Sequence, residues 1–462
     1  MSQKRALPRS VRSLFAVLAV RSSVCLAQAV KEASSVAKPG NAAAQRAASQ
    51  ASHPWSLPIF RIGYSVTLTK SRPMRLYNRR MQRDTPFLGR PMAQKPLFFA
   101  ISVFALGLVS FITQASEAAQ TGLDLPQPNG CYPVGLKTLL LTDTSRNRDL
   151  VVTFWYPATD GTFPFAPYMD KKTADALAEE WKLQLGFERQ VHTHSRTLAL
   201  IAQRGPFPVV FLEHGTGVVP SVYTVLAEGL ASMGFVVAAI NHTPDSLISV
   251  FPDGHEVRFK PYWPADADRR TQGEAIGKFA EDVLARDVRF VLDKLSGMQS
   301  NDDFWHGQLD LSRVGIVGHS MGGTTAALAA KEDPRIHAAV NLDGSTYPGM
   351  NADVRPIELH KPLLFIMTEE HASNPDVQVR EYVGSESNTY YVVMSGADHM
   401  SFTDSPLILS RFARDSKVDN GALERAVLTS TLTRSLVEEF FGKYFKGDGA
   451  LHLDVVTHVD RK

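Results

Sequence analysis

A tight turn around Ser320 limits the folds open to this chain more than any other stretch of its sequence. The segment Gly318-His319-Ser320-Met321-Gly322 follows a short apolar run, Val314–Val317, and precedes an Ala-rich run, Thr324–Lys331. A G-x-S-x-G segment between a strand and a helix is typical of a nucleophile elbow, which holds the serine hydroxyl above the edge of a sheet. Only glycine fits two residues before and after the serine, because the turn is so sharp. We therefore predict that Gly318 and Gly322 shape an elbow and that Ser320 is a nucleophile.

The region that contains this turn, residues 119–462, alternates apolar strands with amphipathic helices, which is typical of an α/β fold. Eight segments are predicted to be strands: 136–142, 150–156, 208–212, 235–240, 314–317, 337–342, 362–367 and 390–394. Helices are predicted over 171–190, 219–233, 273–295, 324–331 and 422–444. The proline-rich segment 242–270 is predicted to be a long loop that serves as a lid or a substrate wall. The sequence thus predicts one catalytic domain with a mostly parallel central sheet of about eight strands flanked by helices.

The first 91 residues differ in charge from the rest of the chain. They carry 16 Lys and Arg but only two acidic residues, whereas residues 92–462 carry 33 basic and 45 acidic residues. Because residues 1–91 also lack a sustained apolar period, we predict that they form a basic, disordered extension. The acidic remainder has no electrostatic footprint for nucleic acid, so no nucleic-acid partner is expected.

Residues 92–118 have the layout of an export signal. Lys95 precedes an uncharged apolar run of 16 residues, Leu97–Ile112, and small residues follow at spacings that suit signal cleavage. The run is slightly shorter than the roughly 17–25 residues of a transmembrane helix. We expect residues 119–462 to be secreted or periplasmic if the signal is cleaved and membrane-anchored if it is not. Met92 opens this signal, so we also expect translation to start there, with residues 1–91 as an upstream extension.

A serine nucleophile needs a base, and we predict that His399 supplies it. In folds with this elbow the chain order is Ser, then acid, then His. His399 lies just beyond the predicted strand 390–394, at the carboxyl edge where the elbow is also expected. His337 and His360 stand at the beginnings of their strands, so we expect them at the opposite edge of the sheet.

The residues alone leave the identity of the acid open. Asp343 ends the strand after the elbow helix, and Glu369 and Glu370 end the next strand along the chain. Asp398 is the weakest candidate, because neighbours in sequence rarely orient each other's side chains. Periodicity does not choose between Asp343 and the Glu369/Glu370 pair.

Acyl transfer also requires two backbone N–H groups that bind the negatively charged oxygen of the transition state. Met321, the residue after the nucleophile, is predicted to supply one of them. The other is expected from the loop after strand 208–212, where His214-Gly215-Thr216-Gly217 makes Thr216 the candidate. The remaining His, Cys and Asp residues lack the close spacing of a metal site, so no metal is predicted.

Taken together, these motifs resemble the platelet-activating factor acetylhydrolases of the plasma and type II intracellular branch and their bacterial relatives. The resemblance covers residues 130–445 and is carried by Phe154–Pro157, Pro208–Gly217, Leu230–His242, Leu311–Gly323, Val340–Asp343 and Ala397–Asp404. It implies an α/β-hydrolase fold, no calcium or other cofactor, and a triad of Ser320, Asp343 and His399. It also implies that Thr216 and Met321 are the oxyanion donors. The choice of Asp343 as the acid comes from this resemblance.

The resemblance further implies a substrate, a phospholipid with a short or oxidised sn-2 acyl ester, and peripheral contact with a lipid surface. Two features depart from the animal enzymes. Thr216 replaces a larger apolar residue, and Thr243-Pro244-Asp245 lacks their Arg-Asp pair. Because such loops wall the substrate pocket, a broad short-chain carboxylesterase or a cutinase-like polyester hydrolase is the alternative. A non-catalytic binding scaffold is a more remote alternative, since fold alone does not fix function.

Overall fold

A ten-stranded sheet forms the centre of the part of the chain that the computed structural model describes. The described residues are 122–345, 359–373, 388–414, 420–447, 451 and 458–460, and all of them belong to one compact unit. The predicted extension at 1–91 and the predicted signal at 92–118 lie outside the described residues. Within the described segments, no helix combines the length and the apolarity needed to cross a bilayer.

Strands and helices alternate along most of this region. The strands are β1 Leu123–Asp124, β2 Val134–Asp143, β3 Arg148–Pro157, β4 Val191–His192, β5 Ser195–Thr197, β6 Phe207–Glu213, β7 Val236–Asn241, β8 Ile248–Val250, β9 Glu256–Arg258, β10 Leu309–His319, β11 Ile336–Leu342, β12 Leu363–Thr368, β13 Thr389–Met394 and β14 His458–Asp460. The α-helices are α1 Lys171–Glu180, α2 Thr224–Ser232, α3 Arg269–Phe279, α4 Ala285–Asn301, α5 Met321–Glu332, α6 Glu369–Ser373, α7 Ser405–Phe412 and α8 Asn420–Lys446. Among the described residues, 3₁₀ turns cover Phe187–Gln190, Pro220–Tyr223 and His399–Phe402.

The sheet confirms the predicted fold class. Its strand order is β14-β13-β12-β11-β10-β6-β7-β3-β2-β5. Neighbours from β13 through β12, β11, β10 and β6 to β7 run parallel, whereas β7–β3 and β3–β2 are antiparallel. All eight predicted strands are present, and the short edge strands β5 and β14 bring the total to ten. Short edge strands carry little apolar sequence pattern, which is why only eight were expected.

Both faces of the sheet are covered, as a parallel sheet requires. On one face, side chains from the central strands pack against α2 and α8; on the other, they pack against α4 and α5. Strand β6 shows the consequence, since all seven of its residues are buried. Its alternate residues serve the two faces: Val210 and Leu212 lie in one apolar cluster, and Val209 and Phe211 lie in the other. This explains why the central strands have continuous apolar sequences rather than alternating ones.

Three segments differ from their predicted form. The helix expected over 171–190 ends at Glu180, and a 3₁₀ turn covers Phe187–Gln190. The helix expected over 273–295 begins earlier, at Arg269, and contains a wider π turn at Ala280–Leu284 between α3 and α4. The segment 242–270, expected to be a loop throughout, contains the antiparallel hairpin of β8 and β9. Both of these strands have only three residues, too few to produce a detectable period.

Candidate active site

Ser320 lies in a sharp turn between β10 and α5. Its backbone has φ +56° and ψ −119°, a conformation that non-glycine residues rarely adopt. The flanking glycines make the turn possible, because a Cβ at Gly318 would overlap the Gly322 carbonyl oxygen and a Cβ at Gly322 would overlap that of Glu213. The sequence therefore folds here into a strand, a strained turn and a helix, and the strain places the Ser320 side chain at the carboxyl edge of the sheet.

His399 lies between Ser320 and Asp343. It begins the 3₁₀ turn that follows β13, with Nε2 2.9 Å from Ser320 Oγ and Nδ1 2.7 Å from Asp343 Oδ2. In this arrangement Nδ1–H donates to the carboxylate, and Nε2 accepts from the serine hydroxyl. The His399 side chain is 40% exposed, whereas that of Asp343 is fully buried. The imidazole is thus accessible from solvent, and its orienting group is not.

Asp343 is fixed by its backbone as well as by its side chain. It follows β11 with φ +54°, and its N–H donates to the Ile366 carbonyl on the neighbouring strand. Thr368 donates to Oδ1 from its backbone N–H at 2.7 Å and from its hydroxyl at 3.0 Å. Burial alone would raise the pKa of Asp343, but hydrogen bonds from His371, His399 and Thr368 outweigh it and hold the pKa well below its ordinary value. Asp343 is therefore an anion at neutral pH.

The other candidate acids occupy different positions. Glu369 and Glu370 begin the short helix α6 and are both exposed, and Glu369 accepts a hydrogen bond from the Ser395 hydroxyl. Asp398 is exposed and caps the 3₁₀ turn through Ser401. The structure therefore brings Asp343 to His399, whereas Glu369 and Asp398 bond to serine hydroxyls outside the triad.

His337 and His360 are not part of this constellation. His337 is an exposed residue near the start of β11, and His360 is an exposed residue before β12. Both lie towards the amino ends of their strands, at the edge opposite Ser320, as their sequence positions predicted.

The two predicted oxyanion donors belong to segments that adjoin Ser320. Register between β10 and β6 pairs Gly318 with Glu213, so the loop that follows β6 runs beside the elbow. A Cβ built on Gly215 would lie 3.2 Å from the Ser320 Cβ. Gly215, the residue before Thr216, is therefore in contact range of the nucleophile. Met321 is the first residue of α5, where the N–H groups of a helix point outward with a favourable dipole for negative charge.

A chain of buried hydrogen bonds joins the three loops that carry the site. The Gly215 N–H donates to the Tyr223 hydroxyl at 3.1 Å, and this hydroxyl lies 2.9 Å from His319 Nδ1. His319 Nε2 in turn lies 2.7 Å from the carbonyl oxygen of His399. Burial lowers the pKa of His319 to about 3, so the ring is neutral and donates from Nε2 only. Sequence reasoning missed Tyr223 and His319, since the contacts that matter are between distant parts of the chain.

A second histidine, His371, also contacts the Asp343 carboxylate. It lies in α6, with Nδ1 3.0 Å from Asp343 Oδ2 and 3.0 Å from the Asp343 carbonyl oxygen. Its ring centroid is 5.1 Å from that of His399. Sequence reasoning missed this residue as well, although its position two residues after the candidate acid Glu369 was a signal that it would lie at the same sheet edge.

Beneath the loop after β6 lies a buried cluster of charged groups. His242 Nε2 is 2.6 Å from Glu213 Oε2, and Nδ1 is 3.0 Å from Asp287 Oδ2. Burial would lower the pKa of His242, but the two carboxylates outweigh it and raise the pKa to about 9. Arg148 forms a two-pronged hydrogen bond to Asp287. The adjacent His214 is held neutral, because burial lowers its pKa to about 3. The cluster supports the loop from below with one imidazolium and one neutral imidazole.

The segment 242–270, predicted to be a lid or a substrate wall, is tied to the same loop. The Gly217 N–H donates to the Asp245 carbonyl at 2.8 Å, and the Tyr262 hydroxyl donates to the Asp245 carboxylate at 3.1 Å. Tyr262 also stacks on Phe279, with the ring centroids 3.9 Å apart. The part of 242–270 nearest the site is therefore packed against the loop after β6 and against α3.

Comparisons with known proteins identify related esterases. The family described as platelet-activating factor acetylhydrolase, isoform II, matches residues 117–254 and 290–444. The platelet-activating factor acetylhydrolase of Cavia porcellus is 26% identical over 61% of this chain and 69% of its own length. A bis(hydroxyethyl) terephthalate hydrolase of Streptomyces coelicolor is 29% identical over 29% of this chain and 41% of its own length. The solved structure of a ferulic acid esterase from Streptomyces cinnamoneus superimposes with a TM-score of 0.60 at 30% identity, covering 72% of this chain and 96% of the esterase.

Proposed function

The chain belongs to the platelet-activating factor acetylhydrolase, isoform II, family and is a carboxylic-ester hydrolase, and we propose that it acts through a triad of Ser320, His399 and Asp343. The observation that carries this proposal is the position of His399. Its two ring nitrogens lie 2.9 Å from the Ser320 hydroxyl and 2.7 Å from the Asp343 carboxylate, which is the geometry a general base needs.

In the proposed reaction, Ser320 Oγ attacks the ester carbonyl carbon while its proton passes to His399 Nε2. Asp343 stays ionised and stabilises the imidazolium that forms. The ester C–O bond then breaks, and His399 returns the proton to the departing alcohol. Water attacks the acyl-serine by the same route in reverse, with His399 as base, and releases the carboxylic acid.

The negative charge that develops on the carbonyl oxygen is proposed to rest on the N–H groups of Thr216 and Met321. Support comes from the placement of the loop after β6 against the elbow and of Met321 at the N-terminus of α5. Loss of one such donor typically costs about 2.7–4 kcal/mol of transition-state stabilisation. Because both donors are backbone groups, their positions depend on the residues that support the two loops.

We propose a phospholipid with a short or oxidised sn-2 acyl chain as the substrate, with the protein meeting a lipid surface when it binds. Support comes from the family and from the relatives named acetylhydrolase. A second candidate is a simple or aromatic carboxylic ester, including a polyester. It is favoured by the 30% identity to a ferulic acid esterase and by the 29% identity to a bis(hydroxyethyl) terephthalate hydrolase.

Matched ester series distinguish the two substrates. Hydrolysis rates would be measured on phosphatidylcholines with sn-2 acyl chains from acetyl to palmitoyl, and on simple alkyl esters of the same acids. The first proposal predicts a steep preference for the short-chain phospholipids, and Ser320→Ala protein supplies the background rate for both series. Equal or faster turnover of the simple esters would favour the second candidate substrate over the phospholipid. No turnover of either series above background would contradict the triad.

We also propose that residues 119–462 are exported. Support comes from the charged residue, apolar run and small residues in 92–118. Amino-terminal sequencing of the protein recovered from the medium or periplasm of its source cells would test this. A mature terminus after residues 113–118 is expected, whereas uncleaved protein confined to the cytosol would contradict export.

A further inference from the structure

We propose that Asp343, His371 and His399 form a binding site for a divalent transition-metal ion such as Zn²⁺, and that the bound ion switches off ester hydrolysis. The binding part of this inference rests on the arrangement of three side chains alone. The inhibition part rests on the proposed function, because it requires His399 to act as the base.

The three side chains converge on a single carboxylate oxygen. His399 Nδ1 lies 2.7 Å and His371 Nδ1 3.0 Å from Asp343 Oδ2, and the potential ligand atoms all lie within 4.8 Å of one another. Ligand atoms around a tetrahedral Zn²⁺ are about 3.3 Å apart, given Zn–N and Zn–O distances of about 2.0–2.2 Å. Small movements of the three groups away from one another would therefore admit an ion between them.

Thr368 leaves one oxygen of Asp343 to the two histidines, and this oxygen would pass to the ion. Both hydrogen bonds from Thr368 go to Oδ1, so they hold the carboxylate in place without occupying Oδ2. The two histidines, in contrast, are partly open to solvent, with side chains 30% and 40% exposed. An ion can thus reach the site, and its ligands include one rigid and two adjustable groups.

The donor set favours one class of ion. Two imidazole nitrogens and a carboxylate oxygen suit Zn²⁺ and its neighbours among the first-row transition metals, whereas Ca²⁺ and Mg²⁺ prefer sites built from oxygen ligands. We therefore expect Zn²⁺ to bind at concentrations at which Ca²⁺ and Mg²⁺ do not.

Binding would inactivate the base through a change of tautomer. Each ring would give the electron pair of Nδ1 to the ion, so a neutral ring must carry its hydrogen on Nε2 instead. In His399, Nε2 is the atom that lies 2.9 Å from Ser320 Oγ, and with a hydrogen attached it has no lone pair to accept the serine proton. The ion would also take the Asp343 oxygen that stabilises the imidazolium.

The test combines binding with activity in the full chain. Zinc chloride would be titrated calorimetrically into wild type, Ser320→Ala and His371→Gln, in chelator-free buffer at fixed pH. Hydrolysis of a soluble short-chain ester would be measured at each zinc concentration in wild type and His371→Gln, relative to each protein's own metal-free rate. His337→Gln is the matched control, because it removes an exposed histidine on β11 that lies outside the cluster.

We expect one zinc site in wild type and Ser320→Ala, inhibition of wild type that a chelator reverses, and inhibition of His337→Gln at the same zinc concentrations. In His371→Gln the affinity should fall by more than the roughly 10–100-fold typical of losing an outer-shell partner, because a direct ligand is gone. Equal inhibition of His371→Gln and wild type, or inhibition of wild type by Ca²⁺ at the same concentration, would overturn the inference.

The remaining outcomes separate this inference from the proposed function. No zinc binding to a wild-type protein that hydrolyses the ester would overturn the metal site and leave the triad standing. Another outcome is that wild-type protein binds zinc at a site that His371→Gln abolishes and yet keeps its full hydrolysis rate with zinc bound. That outcome would overturn the inhibition and contradict the role of His399. Should His371→Gln fail to fold, the contrast between Zn²⁺ and Ca²⁺ and the chelator reversal in wild type still decide.

Discussion

The Tyr223 hydroxyl lies 2.9 Å from Nδ1 of His319, and this contact couples the loop after β6 to the loop that carries His399. The hydroxyl also accepts from the Gly215 N–H, and His319 donates to the His399 carbonyl oxygen. One phenol group therefore holds two parts of the proposed site at fixed positions relative to the elbow. The arrangement is buried, so a missing partner there has no water to replace it.

Tyr223→Phe removes the hydroxyl and keeps the ring. The Gly215 N–H and His319 Nδ1 are then left without this partner, which should lower the free energy of unfolding by about 1–3 kcal/mol. We expect kcat to fall more than KM rises, because the positions of Thr216 and His399 matter chiefly in the transition state. Urea unfolding together with steady-state kinetics would check this; wild-type values in both would contradict the coupling.

Asp343→Asn tests the identity of the acid. An amide cannot stabilise the imidazolium and favours the wrong tautomer of His399, and in a serine protease the same change costs on the order of 10⁴-fold in kcat. We expect a loss of at least about 10³-fold here, with a stable fold. Glu370→Gln is the matched control, since it neutralises an exposed carboxylate at the end of the next strand. A large loss in the control and a small one in Asp343→Asn would move the acid to that strand.

Two glycine substitutions test the elbow. A Cβ at Gly318 would overlap the Gly322 carbonyl oxygen, whereas a Cβ at Gly297 in α4 would have no atom within 4 Å. Gly318→Ala should therefore destabilise the fold by about 3 kcal/mol or more, and Gly297→Ala should stabilise it by roughly 0.5–1 kcal/mol. Denaturant unfolding of the two variants measures the difference. Equal effects of the two changes would mean that the turn around Ser320 is looser than described.

Three buried histidines, His214, His242 and His319, should contribute most to stability near pH 6.5, and their contribution should fall on both sides of that pH. His214 and His319 have folded-state pKa values lowered to about 3 from 6.5, so below pH 6.5 only the unfolded chain binds these protons and stability falls with falling pH. His242 has its pKa raised to about 9, so its contribution is complete below pH 6.5 and is lost as the pH rises through 9. Each group changes the free energy of unfolding by up to about 1.4 kcal/mol per pH unit.

Urea unfolding at pH 5, 6.5 and 9 would measure this dependence. His242→Gln should flatten the alkaline side, and His214→Gln should reduce the slope on the acidic side. A wild-type free energy of unfolding that is highest at pH 9 would contradict the assignment of charge in the cluster.

Local sequence was enough to predict the sheet and part of the site. The eight central strands are long and apolar enough to be read from the sequence, and the glycines around Ser320 define the turn that follows β10. The position of His399 after β13 follows from the rule that carboxyl ends of parallel strands share one edge. The choice of Asp343 over Glu369 and Glu370 needed the family resemblance, because all three residues closely follow strands at that edge.

The remaining features depend on contacts between segments far apart in the chain. Tyr223 belongs to a short 3₁₀ turn whose sequence gives no sign that it faces His319, 96 residues further on. His371 reaches Asp343 because β11 and β12 are neighbours in the sheet, which no local pattern encodes. The hairpin of β8 and β9 was missed for a different reason, since strands of three residues produce no period.

Covalent labelling tests the proposed triad most directly. A fluorophosphonate reacts with a serine only when a base has activated it, so wild-type protein should take up one phosphonyl group, and peptide mass spectrometry should locate it on Ser320. Ser320→Ala should remain unlabelled, and Asp343→Asn should label far more slowly than wild type. Folded wild-type protein that takes up no label would contradict Ser320 as the nucleophile. So would a label that abolishes ester hydrolysis but is located on another serine.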